Sequence, residues 1–206
     1  VVTRRKDGRL VLPLGRPATW EDLERSPAGM VGEIIHGELV MKPRPAMPHG
    51  VAATNLGGIL SGPFRLGTGG PGGWVFVSEP YIRFGEDVRA PDLAGWRRER
   101  WVGIPRRGPI PVMPDWIGEV LSRSTEAEDR TVKMPLYARA QVGHVWLLNP
   151  EPAMLEVYRR EGPSWLLVAS HARPGRVRAE PFDAVELDLT PVWEDAGSEE
   201  TAEQEE

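Results

Sequence analysis

Two periodicities alternate along this chain, and the points where one gives way to the other mark its elements. Residues Glu33 to Met41 read as two short strands around a His36-Gly37 turn, and the proline-punctuated residues 42–48 that follow must be loop. From His49 to about Ser61, Val51, Ala52, Leu56, Ile59 and Leu60 recur at helical spacing, a pattern that Gly57 and Gly58 weaken. Trp74-Val75-Phe76-Val77 and Tyr81-Ile82-Arg83-Phe84 are strand-like, residues 85–88 turn the chain, and Ala90 to Trp96 continues as another strand. After the apolar run Ile117 to Leu121, Ser124 or Thr125 can cap a helix reaching about Gln141, which Pro135 should kink or interrupt. His144 to Leu148 and Met154 to Tyr158 read as a strand pair across the turn at residues 149–153, with shorter strands near Trp165 to Ala169 and Val185 to Leu189. Thr19 can cap a short helix over Trp20 to Arg25, with Asp22 where a capping box would more usually hold glutamate. Strands, a helical crossover and more strands predict an α/β (α+β) fold, a mixed sheet with helices packed on it.

Length and composition narrow this picture. With 206 residues the chain fits one domain, and its 23 glycines and 21 prolines predict short elements joined by many turns. Residues 1–18 read as a loosely held N-terminal arm. Residues 194–206 hold seven acids and no base and read as a disordered, acidic tail. The rest carries 25 basic and 23 acidic residues, so the body is weakly basic although the net charge is −5. The absence of cysteine excludes disulfides, thiolate zinc sites and a cysteine nucleophile. No apolar stretch approaches the length of a membrane span and the first residues carry no signal-peptide core, so the expected location is the cytoplasm, with no membrane partner.

The chemistry begins at Glu119. On a strand its side chain projects from the same face as Ile117 and Leu121, and an unpaired carboxylate buried there is costly. It needs a partner, which could be a metal, a lysine or an arginine. Phosphodiester cleavage calls for oxygen ligands that hold hard cations beside a positive charge. Asp92 and Glu119 on neighbouring strands could supply the ligands. Asp129, Lys133 and Tyr137, four residues apart, would share one helix face.

These segments resemble a known family. The stretches at 32–39, 46–50, 88–96, 114–125 and 142–159, together with the Asp129 to Lys133 spacing, are similar to the bacterial "Uma two" restriction-endonuclease-like family, itself similar to the PD-(D/E)XK nuclease superfamily. The resemblance spans residues 19–193. It implies a restriction-endonuclease-like domain with a mixed central sheet flanked by helices, Asp92 and Glu119 binding Mg2+ or Mn2+, and Lys133 supplying the charge that such enzymes usually carry two residues after the second acid, where Leu121 stands. Glu33 matches a further acidic position that completes the metal shell or orients a water, and His49 matches a family histidine. Arg123 departs from the family pattern, as do Gln141, Gly143 and Pro135.

Taken alone, each residue also has a plainer reading: Asp92 as a turn residue after Pro91, Glu119 and Lys133 as a structural ion pair, Tyr137 as core, and His49 as a helix cap. Arg97, Arg98 and Arg100 follow the Asp92 strand and could meet phosphates near the site, or could simply be solvated. The expected function is therefore metal-dependent hydrolysis of nucleic acid, DNA before RNA. The alternative is an inactive nuclease fold that binds nucleic acid or a protein. A homodimer through short edge strands would supply two sites for two strands of a duplex.

Overall fold

The computed structural model describes residues 3–4, 9–27, 29–43, 46–173 and 175–194. Two six-stranded sheets carry the fold. The first is antiparallel throughout, in spatial order β1 (Thr3–Arg4), β2 (Leu10–Leu12), β4 (Glu38–Pro43), β3 (Met30–Ile35), β7 (Asp87–Arg89) and β6 (Ile82–Phe84). The second, central sheet runs β12 (Ser164–Ala172), β11 (Met154–Glu161), β10 (His144–Asn149), β9 (Trp116–Val120), β8 (Leu93–Arg97) and β5 (Trp74–Ser78). Only β9 and β10 pair in parallel there, so the central sheet is mixed. A short ribbon of β13 (Arg176–Val177) and β14 (Leu187–Asp188) completes the strands among the described residues.

Alternation along β9 divides the core. Trp116 and Val120 face a cluster with Trp74, Phe76, Trp146 and Phe182, covered by helices α2 (Met47–Leu60) and α5 (Thr190–Glu194). Ile117 and Leu121 face the opposite cluster with Val145, Leu147 and Tyr137, covered by helix α4 (Met134–Arg139). The residue between them, Glu119, therefore enters the second cluster. Glycine lets α2 lie close to the sheet: a Cβ on Gly57 would meet Leu93 at 3.4 Å, and one on Gly118 would meet Leu56 of α2 at 3.5 Å. That close approach brings the start of α2, with His49, over the β8–β9 seam.

The predicted hairpin at His36-Gly37 forms, with both turn residues at positive φ and Ile35 opposite Glu38. Helix α1 (Trp20–Glu24) is capped as expected, the Thr19 amide donating to Asp22 Oδ2 at 2.8 Å. The helix predicted up to Gln141 ends at Arg139 and is broken into α3 (Glu126–Glu128), a π-helical turn over Asp129–Lys133, and α4. Pro135 sits in the first turn of α4, where its missing N–H does least harm, and the widened turn before it relieves the clash a proline makes with the preceding turn.

Leu10 to Leu12, expected within a loose arm, instead extend the first sheet by pairing with Leu39 to Met41, because Leu10, Leu12 and Leu14 have an apolar cluster to pack against. The expected acidic tail lies, from residue 195, outside the described residues. Among the described residues no helix is long and apolar enough to cross a membrane.

Candidate active site

The route from the first sheet to the second builds the site. The chain leaves β7 at Arg89, passes Ala90 and Pro91, and enters β8 just after Asp92. Antiparallel pairing of Leu93 with Gly118 sets Asp92 beside Glu119 and Val120. Asp92 is fixed on three sides: Oδ2 accepts from the Val120 amide at 2.8 Å, its carbonyl accepts from the Glu79 amide at 3.0 Å, and Oδ1 lies 2.9 Å from His49 Nε2. That last approach is close but not an aligned hydrogen bond, and among the described residues the buried Nε2 has no hydrogen-bond partner.

Glu119 meets its second-cluster neighbours through one oxygen. Oε1 accepts from Lys133 Nζ at 3.1 Å and from the Tyr137 hydroxyl, while Oε2 has only the Asp92 amide at 3.4 Å. Lys133 is held in turn by Asp129 Oδ1 at 2.8 Å. The side chains expected on one helix face are therefore joined in a line from Asp129 through Lys133 to Glu119, with Tyr137 closing on the same oxygen. Glu33 stands one step back: Oε1 accepts from the Ala90 amide at 3.0 Å and Oε2 from Arg89 Nη1 at 3.4 Å. It thus pins the connection that carries Asp92.

Burial and charge pull these groups apart in acidity. Burial pushes the Glu119 carboxyl up, Asp92 and Asp129 push it further, and the pull of Lys133 and Tyr137 leaves it at about 8. Burial also opposes ionisation of Asp92 and Glu33, but positive neighbours and amide donors prevail. His49, Lys133 and the Val120 amide hold Asp92 at about 2, and Lys42, Lys133, Arg89 and the Ala90 amide hold Glu33 at about 2. Burial disfavours the charged lysine, yet Glu119, Asp129, Tyr137 and Glu33 together raise Lys133 well above its ordinary value. Lys133 is thus a standing positive charge, unsuited to act as a base near neutrality. Tyr137 is raised well above its usual range, by burial first and then by Glu119, so its phenol keeps the proton it donates.

The set suits a hard cation. Asp92 Oδ1 and Glu119 Oε2 are carboxylate oxygens on adjacent strands, the second almost without a donor, and burial with Asp92 and Asp129 nearby holds the Glu119 carboxyl up despite Lys133. Two is nonetheless the whole count at this point: among the described residues no group of three histidine, aspartate or glutamate side chains is placed to hold an ion. Access is narrow as well. Glu119 and Lys133 are buried at 1% and 4% exposure, and only the Asp92 and His49 side chains, at 13% each, reach the surface. Concavities of about 360 and 380 Å3, the first lined by Leu12, Leu14 and Arg16 and the second by Met134, Pro135 and Trp165, are lined by none of these groups.

The arginines do not join the site. Arg97, Arg98 and Arg100 follow the far end of β8, roughly 16 Å along the strand from Asp92 at about 3.3 Å per residue. Arg97 stacks over the Trp74 ring at 4.2 Å, Arg98 donates to the Trp74 carbonyl at 3.3 Å, and Arg100 pairs with Asp115. The structure does not bring them to Asp92, because the whole length of β8 lies between. Conversely, the sequence reading passed over Arg89, 1% exposed, which contacts Glu33, Asp87 and Glu128, the last also paired with Arg9. A signal was present, since an arginine at the end of Asp87-Val88-Arg89, just before an apolar strand, raises the same question of a buried partner as Glu119.

A mixed sheet that sets two acids side by side at the ends of adjacent strands, with a lysine from the following helix against the second, has the restriction-endonuclease-like fold. The sequence profile of the family described as "Uma2: Putative restriction endonuclease" matches residues 20–190, and the chain belongs to that family. Among solved structures it is similar to one titled as a putative nuclease belonging to DUF820 from Anabaena variabilis. The two share 18% identity at a TM-score of 0.68, over 88% of this chain and 100% of that chain, a likeness that carries the fold. No match was found among curated proteins.

Proposed function

We propose that this protein is a nuclease that hydrolyses phosphodiester bonds of DNA with the help of Mg2+ or Mn2+ at Asp92 and Glu119. The observation that carries this reading is the pairing of a barely engaged buried carboxylate oxygen on Glu119 with Asp92, next to a lysine that stays charged. When bound, a divalent cation would supply charge to polarise the phosphate and to acidify a water. Lys133, fixed between Asp129 and Glu119, offsets negative charge that develops near Glu119 and aligns a water there. Tyr137 keeps Glu119 Oε1 turned inward, which leaves Oε2 toward Asp92. Glu33 acts as a positioning residue through the Ala90 amide, and His49 is the first group a phosphate meets at the Asp92 rim. The domain itself would span residues 19–193, and two copies would serve the two strands of a duplex.

One observation favours a second reading. Because Glu119, Lys133 and Tyr137 are sealed from solvent, the network also suits a catalytically idle member of the family in which the ion pair is structural, and the fold binds nucleic acid or a protein. A single comparison separates the two. Purified protein with Mg2+ or Mn2+ is assayed on plasmid, single-stranded DNA and RNA beside Glu119→Gln, with Mn2+ binding followed by calorimetry. Cleavage and tight stoichiometric binding by the unaltered chain alone support the nuclease. Absence of both, or equal cleavage by the two proteins, removes it.

A further inference from the structure

The central sheet ends on an open strand. β12 bonds only to β11, and among the described residues no other backbone group bonds to its outer edge. Sheets usually blunt such an edge with lysine, proline or an inward charge, yet Ser164 to Ala172 contains none of these. A bulge that leaves Val168 without a partner on β11 twists the edge but does not charge it. Leu166, Leu167 and Val168 are consecutively exposed at 39%, 47% and 37%.

Leu167 is also the last rung of a row that crosses the whole sheet. Val77, Ala94, Ile117, Val145, Tyr158 and Leu167 are paired in succession from β5 to β12. Ala94, Ile117 and Val145 are completely buried, so an apolar row that begins inside the core runs off the edge of the molecule. A second copy of β12, antiparallel to the first, would supply the missing rung with its own Leu167 and be completed by the same contact in return. The one titratable side chain of the strand, His171, lies four residues from Leu167 and would face Pro163 of the second copy, so no like charges meet across the axis.

We propose that β12 is a homodimer interface, in which the two copies pair antiparallel about a two-fold axis near Leu167 and continue the sheet through both protomers. The interface stands apart from the catalytic reading and does not need it. Seven strand spacings of about 4.8 Å separate the two Glu119 positions, roughly 34 Å along the joined sheet.

Sedimentation equilibrium of the full chain at up to about 100 µM tests this, the expected mass being twice 22.9 kDa. Leu167→Lys should halve that mass with an unchanged far-UV spectrum. Because the chain has no cysteine, Leu167→Cys carries a single thiol, and oxidation should link it into a covalent dimer. Leu66→Cys, at a site 73% exposed beside β5 on the opposite edge, should stay monomeric on the same gel. A monomeric unaltered chain across the range, a Leu167→Lys protein that remains dimeric, or equal cross-linking from both thiols overturns the proposal. If Leu167→Lys does not fold, the comparison of thiols decides.

Discussion

β8 and β9 present charge at both of their ends, and the two ends treat it in opposite ways. At one end Asp92, Glu119 and Lys133 meet within a few ångströms, with Glu119 1% and Lys133 4% exposed, and each is pushed away from its ordinary acidity. At the other, Asp115 accepts from the Arg97 amide and pairs with Arg100, whose side chain is 46% exposed. Both ends set carboxylates against cationic side chains. What differs is the surrounding medium: solvent screens the second cluster, whereas the first has only its own members to balance charge. A pairing that is incidental at the rim becomes a chemical state in the core.

Activity offers the largest separation of the two ends. Asp92→Ala should lower DNA cleavage by at least about 10²-fold, whereas Arg98→Ala and Arg100→Ala should leave the rate unchanged. Initial rates at fixed Mg2+ check this, and a comparable loss in the arginine variants would return them to the site.

Stability comes next. Lys133→Met leaves Glu119 and Asp129 facing each other without a cation and should cost about 3–5 kcal/mol, read from the urea midpoint. Arg100→Ala, at the solvated end, should cost no more than about 1 kcal/mol in the same titration. Equal costs would mean that burial does not distinguish the clusters.

An effect comparable to that of Lys133 is expected in pH dependence. A carboxyl raised from 4.5 to about 8 holds in the folded state a proton that the unfolded chain releases, so this group makes the fold less stable as pH rises between those values. Glu119→Gln removes that slope. In chelator, its melting temperature should gain on that of the unaltered chain from pH 4.5 to about 8, and parallel curves would show that Glu119 does not carry the charge in question.

Much of this was legible along the chain. The two-residue turn at His36-Gly37, the Thr19 cap and the alternation that points Glu119 into the core depend on neighbours a few residues apart, and each is present in the structure. The spacing of Asp129, Lys133 and Tyr137 announced a common face; Lys133 and Tyr137 both contact Glu119, and Asp129 holds Lys133 from behind. Arg97 to Arg100 stand apart from Asp92 because closeness in sequence says nothing about which end of a strand the next loop occupies. Arg89 was obscured for a related reason, since its contact with Glu33 links strands of the first sheet 56 positions apart.

By itself, the sequence settled the periods, caps and turns, because these follow from backbone geometry and from the cost of burying a lone charge. Only the tertiary structure decided which charges share a low-dielectric space, which oxygen of Glu119 is left with a single long hydrogen bond, and that Leu167 closes an apolar row at an open edge. Electrostatic strength depends on distance and on the exclusion of water, and both are properties of segments brought together from across the chain.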